Sequence, residues 1–315
     1  MTSTKLSTGK ANLEVFSETL TELGKKDRDI IVVTSDSRGS GKLVPFGEQL
    51  PTQIVEVGIA EQNLVGVASG LASTGKKVFA VSPACFLTSR SLEQVKNDVA
   101  YSNIPVTLVG ISAGVSYGAL GSTHHSTHDI AVFRAIHNID IIVPADNFET
   151  RQAIIAASES KKPVYIKFGK KNMAYLPRLK KNFEIGKASV ICPGNDITFI
   201  ACGETVLPAY EAALLLEEKG ISTEVISMHT VKPLDKEAVI TSAKKCKAII
   251  TVEEHSIHGG LGEACASLLL EEKIYKAFKI VGFPDEETVA GSQIEIFNHY
   301  GISVEGLAEE AMKLL

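Results

Sequence analysis

The sequence predicts an α/β protein made of two units, each a doubly wound, mostly parallel sheet covered by helices. Two observations carry this. Short runs of continuous apolar residues alternate with longer segments of helical periodicity. Strands that lack polar alternation are buried on both faces, as parallel strands are when crossover helices cover them. The alternation also pauses once, at Lys170–Lys187 (KKNMAYLPRLKKNFEIGK), a basic stretch that carries a proline and no clear period, and then resumes.

In the first series Ile30–Thr34, Val78–Val81, Val106–Ile111, Ile139–Val143 and Pro163–Phe168 read as strands. Ala11–Leu23, Ala60–Ser73, Ser91–Tyr101 and Phe148–Ser160 read as the helices between them. In the second, Asp196–Ala201, Ser222–Ser227, Ala248–Val252 and Tyr275–Val281 are the strands. Thr205–Lys219, Asp235–Lys244 and Gly260–Glu271 are the helices. The expected division is 1–175 for the first domain, 176–188 for a linker and 189–315 for the second.

Composition narrows the class. Hydrophobic residues at 44% and charged residues at 22% suit a soluble globular protein. The formal charge of −5 offers no basic footprint for nucleic acid. No run approaches the ~20 apolar residues of a membrane span, and MTSTKLSTGKANLEVF has no secretion-signal core. The five cysteines are dispersed, with no C-x-x-C pair. They read as buried thiols in a reducing compartment, the cytoplasm, rather than as catalytic groups.

Ligands of open parallel sheets sit at the carboxyl ends of the strands, so the loops there hold the candidates. Three stand out: TSDSRGSG, VEVGIAEQN and SYGALGSTHHSTHD. Glu61 begins a helix that has no other charge before Lys76. A carboxyl on so apolar a helix lies near a buried surface, where desolvation favours its protonated form. The alternative is an ordinary acid at the positive end of a helix dipole. His124, His125 and His128 have turn-like spacing that suits a metal, but no cysteine or acidic cluster completes a site. Taken alone, Phe86 is a core phenylalanine and Asp36 the start of an Asx turn.

The longer match changes these readings. VEVGIAEQNLVGVASGLASTGKKVFA resembles the glutamate segment of transketolases, deoxyxylulose-phosphate synthases and related thiamine-diphosphate enzymes. The resemblance runs over essentially the whole chain but covers only the latter half of full-length transketolase. It implies that Glu61 contacts N1′ of the cofactor's aminopyrimidine and favours the imino tautomer that deprotonates the thiazolium. In SPACFLTSRSLEQVKNDVAYSNIPV it implies that Phe86 lies against the pyrimidine face. The family's second aromatic, three residues on, is here Ser89, so that side of the clamp is built differently. Asp36 matches an acid near the thiazolium. Gly121–His124 matches a GPTH-like loop, which makes His124 a substrate hydrogen-bonding and proton-shuttling group; His125 and His128 have no counterpart. The small residues Gly66, Ala68, Gly70 and Ala72 suit a helix at a subunit interface.

The resemblance also frays. No GDG is present, so a separate subunit is expected to supply the diphosphate and Mg²⁺ site, and two such pairs would form an α2β2 heterotetramer. The family's upstream histidine and aspartate, which bind sugar phosphate and a donor hydroxyl, correspond to Ser112 and Leu120. Its phosphate-binding arginine falls near Lys170, which supplies charge without a bidentate fork. Arg38 and Ser40 are candidate anion contacts from the other side. These departures point to ketol transfer from a modified ketose, branched or sulfonated, to an aldose phosphate.

GISTEVISMHTVKPLD and TVEEHSIHGGLGEACA resemble the family's C-terminal domain. There Glu253, His255 and His258 precede glycines that either receive an anion at a helix start or simply form the turn. The rival functions are the beta subunit of a 2-oxoacid dehydrogenase, a noncatalytic regulatory half, and a histidine-metal hydrolase.

Overall fold

A computed structural model describes residues 6–315; residues 1–5, with which the expected first domain begins, lie outside the described residues. The strands form two sheets and one small ribbon. In the larger sheet the order is Thr230–Lys232, Asp140–Ile142, Val164–Lys167, Val106–Ile111, Lys77–Pro83, Ile30–Thr34 and Ile54–Glu56. All the expected strands of the first series are present, and all pair in parallel. Ile30–Thr34 and Val106–Ile111 are buried at every residue, which is why they read as unbroken apolar runs.

Two strands of this sheet were not expected. Ile54–Glu56 adds a parallel edge beside Ile30–Thr34, with Thr34 opposite Glu56. Thr230–Lys232 comes from the second series and closes the other edge antiparallel to Asp140–Ile142. The second sheet runs Ala277–Phe283, Ala248–Ser256, Ile197–Ala201, Thr223–Ser227 and Ser189–Cys192, parallel except for the last. The fold is therefore the α/β arrangement expected, but the two sheets are stitched together. One hydrophobic cluster runs from Val33, Leu64 and Val78 through to Ile200, Ile226 and Leu268.

Helix positions follow local chemistry. Pro83 ends its strand and Ala84–Arg90 turns helical at once, since proline cannot donate onward into the ladder. The helix expected at Ser91–Tyr101 starts as Leu92–Gln94 and widens to a π-helical stretch at Val95–Tyr101. Asp146 caps the helix Asn147–Ser158 by accepting from Glu149 N at 2.9 Å, and Asp235 caps Lys236–Lys245 likewise. Among the described residues no helix is long and apolar enough to cross a membrane.

The stretch Lys170–Lys187 is not a slack tether. Asn172–Ala174 pairs antiparallel with Thr8–Ala11. Arg178 is buried and ion-paired with both Asp146 and Glu149, donating to the latter at 2.8 Å. Ser227 of the second sheet also donates to Glu149, at 3.0 Å. The strap is thus fastened by charge at the point where the two sheets meet.

Candidate active site

Ile54–Glu56, Ile30–Thr34, Lys77–Pro83, Val106–Ile111 and Val164–Lys167 are neighbours and run the same way, so the loops that follow them gather on one edge. Glu56 organises the first of these loops. Its carboxylate accepts from the Thr34 hydroxyl at 2.6 Å, from Asp36 N at 2.6 Å and from Gly58 N at 3.1 Å. Arg38 Nε stands 3.6 Å away. Burial pushes this carboxyl up, but these donors together hold it below the ordinary glutamate range. Asp36 is left-handed, at φ 53°, which the Glu56 contact stabilises. Ser40 donates to Ser37 O at 3.2 Å, and Ser35 bonds Ser82 at 2.8 Å, joining this loop to the next strand end. Asp36 and Arg38 therefore gather at Glu56, Ser40 lies on the same loop bonded to Ser37 instead, and Arg38 already faces an anion of its own chain.

The Glu56–Gly58 contact sets the entry to the helix Glu61–Ser73. Glu61 is only 4% exposed. It is not alone: Arg90 Nη1 donates to both its oxygens, at 3.0 and 3.1 Å. The Arg90 guanidinium also lies over the Phe86 ring, 4.2 Å from its centroid. Phe86 and Arg90 are four apart on the helix Ala84–Arg90 and so share a face. Phe86 is half-buried, where a lone core phenylalanine would be enclosed.

From Phe86 the contacts continue into the histidine loop. His124 meets Phe86 edge-on at 5.4 Å and Tyr117 at 5.3 Å. Lys170 Nζ lies 4.3 Å over the Tyr117 ring. His124 Nδ1 is engaged by the Thr123 hydroxyl at 2.9 Å, which leaves Nε2 for a ligand. Ser89 bonds His128 Nε2 at 3.0 Å and so ties helix to loop. His125 is buried, with Nε2 at 2.9 Å from Gly118 O; desolvation lowers its pKa, so it closes the turn as a neutral ring that donates to that carbonyl.

The loop rests on the second sheet. Val115 N donates to Glu254 at 2.9 Å, Ser256 N to Thr127 O at 2.7 Å, and Ala131 N to His255 Nε2 at 3.2 Å. Glu253 accepts from Leu261 N and Gly262 N at 2.6 and 2.8 Å. The helix start that looked open to an external anion is thus capped by the chain's own carboxylate. Among the described residues no three histidine, cysteine or acidic side chains gather to hold a metal.

Among known protein families, the description "Transketolase, pyrimidine binding domain" matches residues 9–174, and "Transketolase, C-terminal domain" matches 186–307. One of the subunits of the apulose-4-phosphate transketolase of Phocaeicola vulgatus is 47% identical over 304 residues, covering 95% of this chain and 96% of that protein. The chain belongs to the transketolase family. A 6-deoxy-6-sulfo-D-fructose transketolase subunit of a Clostridium species is 36% identical over 258 residues, spanning 82% of this chain and 80% of the other. A solved split-gene transketolase, described as an inactive beta4 tetramer, superposes with a TM-score of 0.87 at 34% identity over 98% of both chains. This is a transketolase subunit of the split kind, a ketol-transfer enzyme component, and the 2-oxoacid dehydrogenase alternative is not favoured.

Transketolases depend on thiamine diphosphate, and the residues present fit its pyrimidine end. A buried carboxylate and an aromatic ring are bridged by one planar cationic group, the Arg90 guanidinium, which is the kind of group an aminopyrimidine is when it shares a proton. Sequence reasoning named Glu61, Phe86, Ser89, His124 and Lys170 separately, residues that the structure joins in one run of contacts. It missed Arg90, whose signal was its four-residue spacing from Phe86. It also missed Tyr117, an aromatic in a glycine-rich loop, and Glu56, which stands within the quoted VEVGIAEQN.

Proposed function

We propose that this chain is the pyrimidine-holding half of a two-subunit transketolase that moves a two-carbon ketol unit from a modified ketose to an aldose phosphate. The observation that carries the reading is Glu61: a buried carboxylate at a helix start, facing the same patch as Phe86. Bound thiamine diphosphate supplies the carbon nucleophile and electron sink for cleaving a bond beside a carbonyl. Glu61 holds a proton at the pyrimidine N1′, Phe86 covers the ring face, and Ser89 borders it. Asp36, positioned by Glu56, would be the acid near the thiazolium ring when the cofactor is bound. His124 Nε2 hydrogen-bonds a substrate hydroxyl and shuttles its proton. Lys170, Arg38 and Ser40 attract the anionic end of the sugar.

A partner chain supplies the diphosphate and Mg²⁺ site, in an α2β2 assembly. The two sheets support domains at 1–175 and 189–315 joined by 176–188. The free thiols, four of the five buried, support a cytoplasmic setting. The named relatives act on apulose 4-phosphate and on 6-deoxy-6-sulfo-D-fructose. Together with Ser112 and Leu120 at the family's polar positions, they support a branched or sulfonated donor.

The test is ketol transfer by the reconstituted complex. Glu61→Gln should lower kcat by about 10²- to 10⁴-fold, with assembly unchanged by size-exclusion chromatography. Turnover within a few-fold of wild type would return the chain to a noncatalytic role. Xylulose 5-phosphate used as well as either modified ketose would remove the unusual-donor reading.

A further inference from the structure

Arg90 makes two contacts at once: N–H donation to both Glu61 oxygens, and cover of the Phe86 ring, with Cζ 4.2 Å from its centroid. A guanidinium is planar and cationic, offers N–H groups in its plane to a carboxylate, and stacks its face on an aromatic ring. These are the same two contacts that the proposed function gives to the aminopyrimidine ring. The spacing between guanidinium and Phe86 is that of direct contact, so a second planar group does not fit between them. Ring and guanidinium exclude one another.

We propose that Arg90 holds the pyrimidine seat itself, and that it swings aside when the cofactor ring docks. The inference rests on the reading of Glu61 and Phe86 given above. Arg90 is suited to leave. It is the last residue of the helix Ala84–Arg90, and its side chain is 49% exposed, so solvent receives the displaced charge. Glu61 is not suited to be left: a buried carboxylate stripped of its partner is costly. Arg90 therefore serves Glu61 until the ring replaces it, and opposes cofactor binding by the worth of the contacts it gives up. For a half-exposed ion pair with a cation–π contact, that opposition is about three- to tenfold in affinity.

The experiment is titration calorimetry of thiamine diphosphate, with saturating Mg²⁺, into the complex assembled with its diphosphate-holding partner. Wild type, Arg90→Ala, Arg90→Lys and Glu61→Gln are compared. Arg90→Ala should lower Kd about three- to tenfold, and Arg90→Lys, which keeps charge without the planar fork, should fall between. In stopped flow, the observed association rate of wild type should level off with cofactor concentration, because Arg90 must leave first. That of Arg90→Ala should rise linearly. A Kd unchanged or raised in an Arg90→Ala complex that assembles and melts like wild type overturns the inference. If Arg90→Ala does not assemble, an unchanged or weakened Kd in Arg90→Lys does the same. Glu61→Gln separates the two levels. Normal turnover in that variant discards the site itself, whereas lost turnover beside an unmoved Arg90→Ala discards only the role of Arg90.

Discussion

Tyr117 is where two of the expected substrate groups meet. Its ring takes the Lys170 ammonium on one side and the edge of His124 on another. Burial raises its phenol above the ordinary tyrosine pKa, so it stays neutral across the working range. Removing the ring should therefore free both neighbours at once. Tyr117→Leu is expected to raise the donor KM about three- to tenfold, from contacts worth ~0.5–1 kcal/mol each, while Tyr117→Phe stays near wild type. Equal KM values for the two variants would show that the ring positions nothing. At this scale the sequence was half legible. Glu61, Phe86, His124 and Lys170 each follow a strand end within a segment that can be recognised by itself. The spacing of Arg90 from Phe86 shows a shared helix face, but its partner Glu61, like Lys170 for Tyr117, is distant in the chain, and no local pattern announces those pairings.

Among elements, the strap that includes Arg178 shows how a segment without periodicity can still be rigid. Arg178 lies buried between Asp146 and Glu149, and burial alone would discharge it; the two carboxylates keep its pKa above the ordinary arginine value. Arg178→Ala strands two buried acids and should cost about 3–5 kcal/mol of stability, read as a lower urea midpoint with an unchanged m-value. A loss below about 1 kcal/mol would place the pair effectively at the surface. The central strands were readable because burial on both faces leaves an unbroken apolar run. Ile54–Glu56 and Thr230–Lys232 were not, because three residues carry no period and their pairing is decided by sheet edges far away in sequence. The role of Glu253 was hidden for a related reason: a cap reaching back from a strand to Leu261 and Gly262 has no fixed spacing.

Across the whole molecule, the contact between the two sheets is polar at its centre and should respond to pH. Glu254 accepts from Val115 N and from Gln293, whose amide also bonds Glu204; Lys167 donates to the Glu254 carbonyl and to Asp129. Burial, and then the nearby Glu204 carboxylate, push Glu254 up to about 7. An acid raised in the folded state binds its proton there while the unfolded chain has already released it. Its stabilising contribution is complete below the unfolded value of ~4.3 and is lost as pH rises to about 7. Relative to wild type, Glu254→Gln should gain stability steadily across that interval and no further above it, in thermal melts of the same complex. A difference that does not vary with pH would mean that Glu254 is ionised throughout. Comparing variant with wild type isolates this group from His255, which burial lowers to about 4 and which acts in the opposite sense.

The strand Thr230–Lys232 makes the chain hard to cut in two. A fragment stopped at residue 188 would lose Ile200, Ile226 and Leu268 from the cluster it shares and leave Asp140–Ile142 as a bare border, its amides and carbonyls open to any passing strand. Such a truncation invites clumping rather than a soluble half, and its other piece would carry Thr230–Lys232 as an internal strand with no sheet to join. For anyone exchanging modules between relatives, no single seam respects the hydrogen bonding: a cut in the basic stretch takes Thr230–Lys232 from the first sheet, and one beyond Lys232 parts Ile197–Ala201 from Ala248–Ser256.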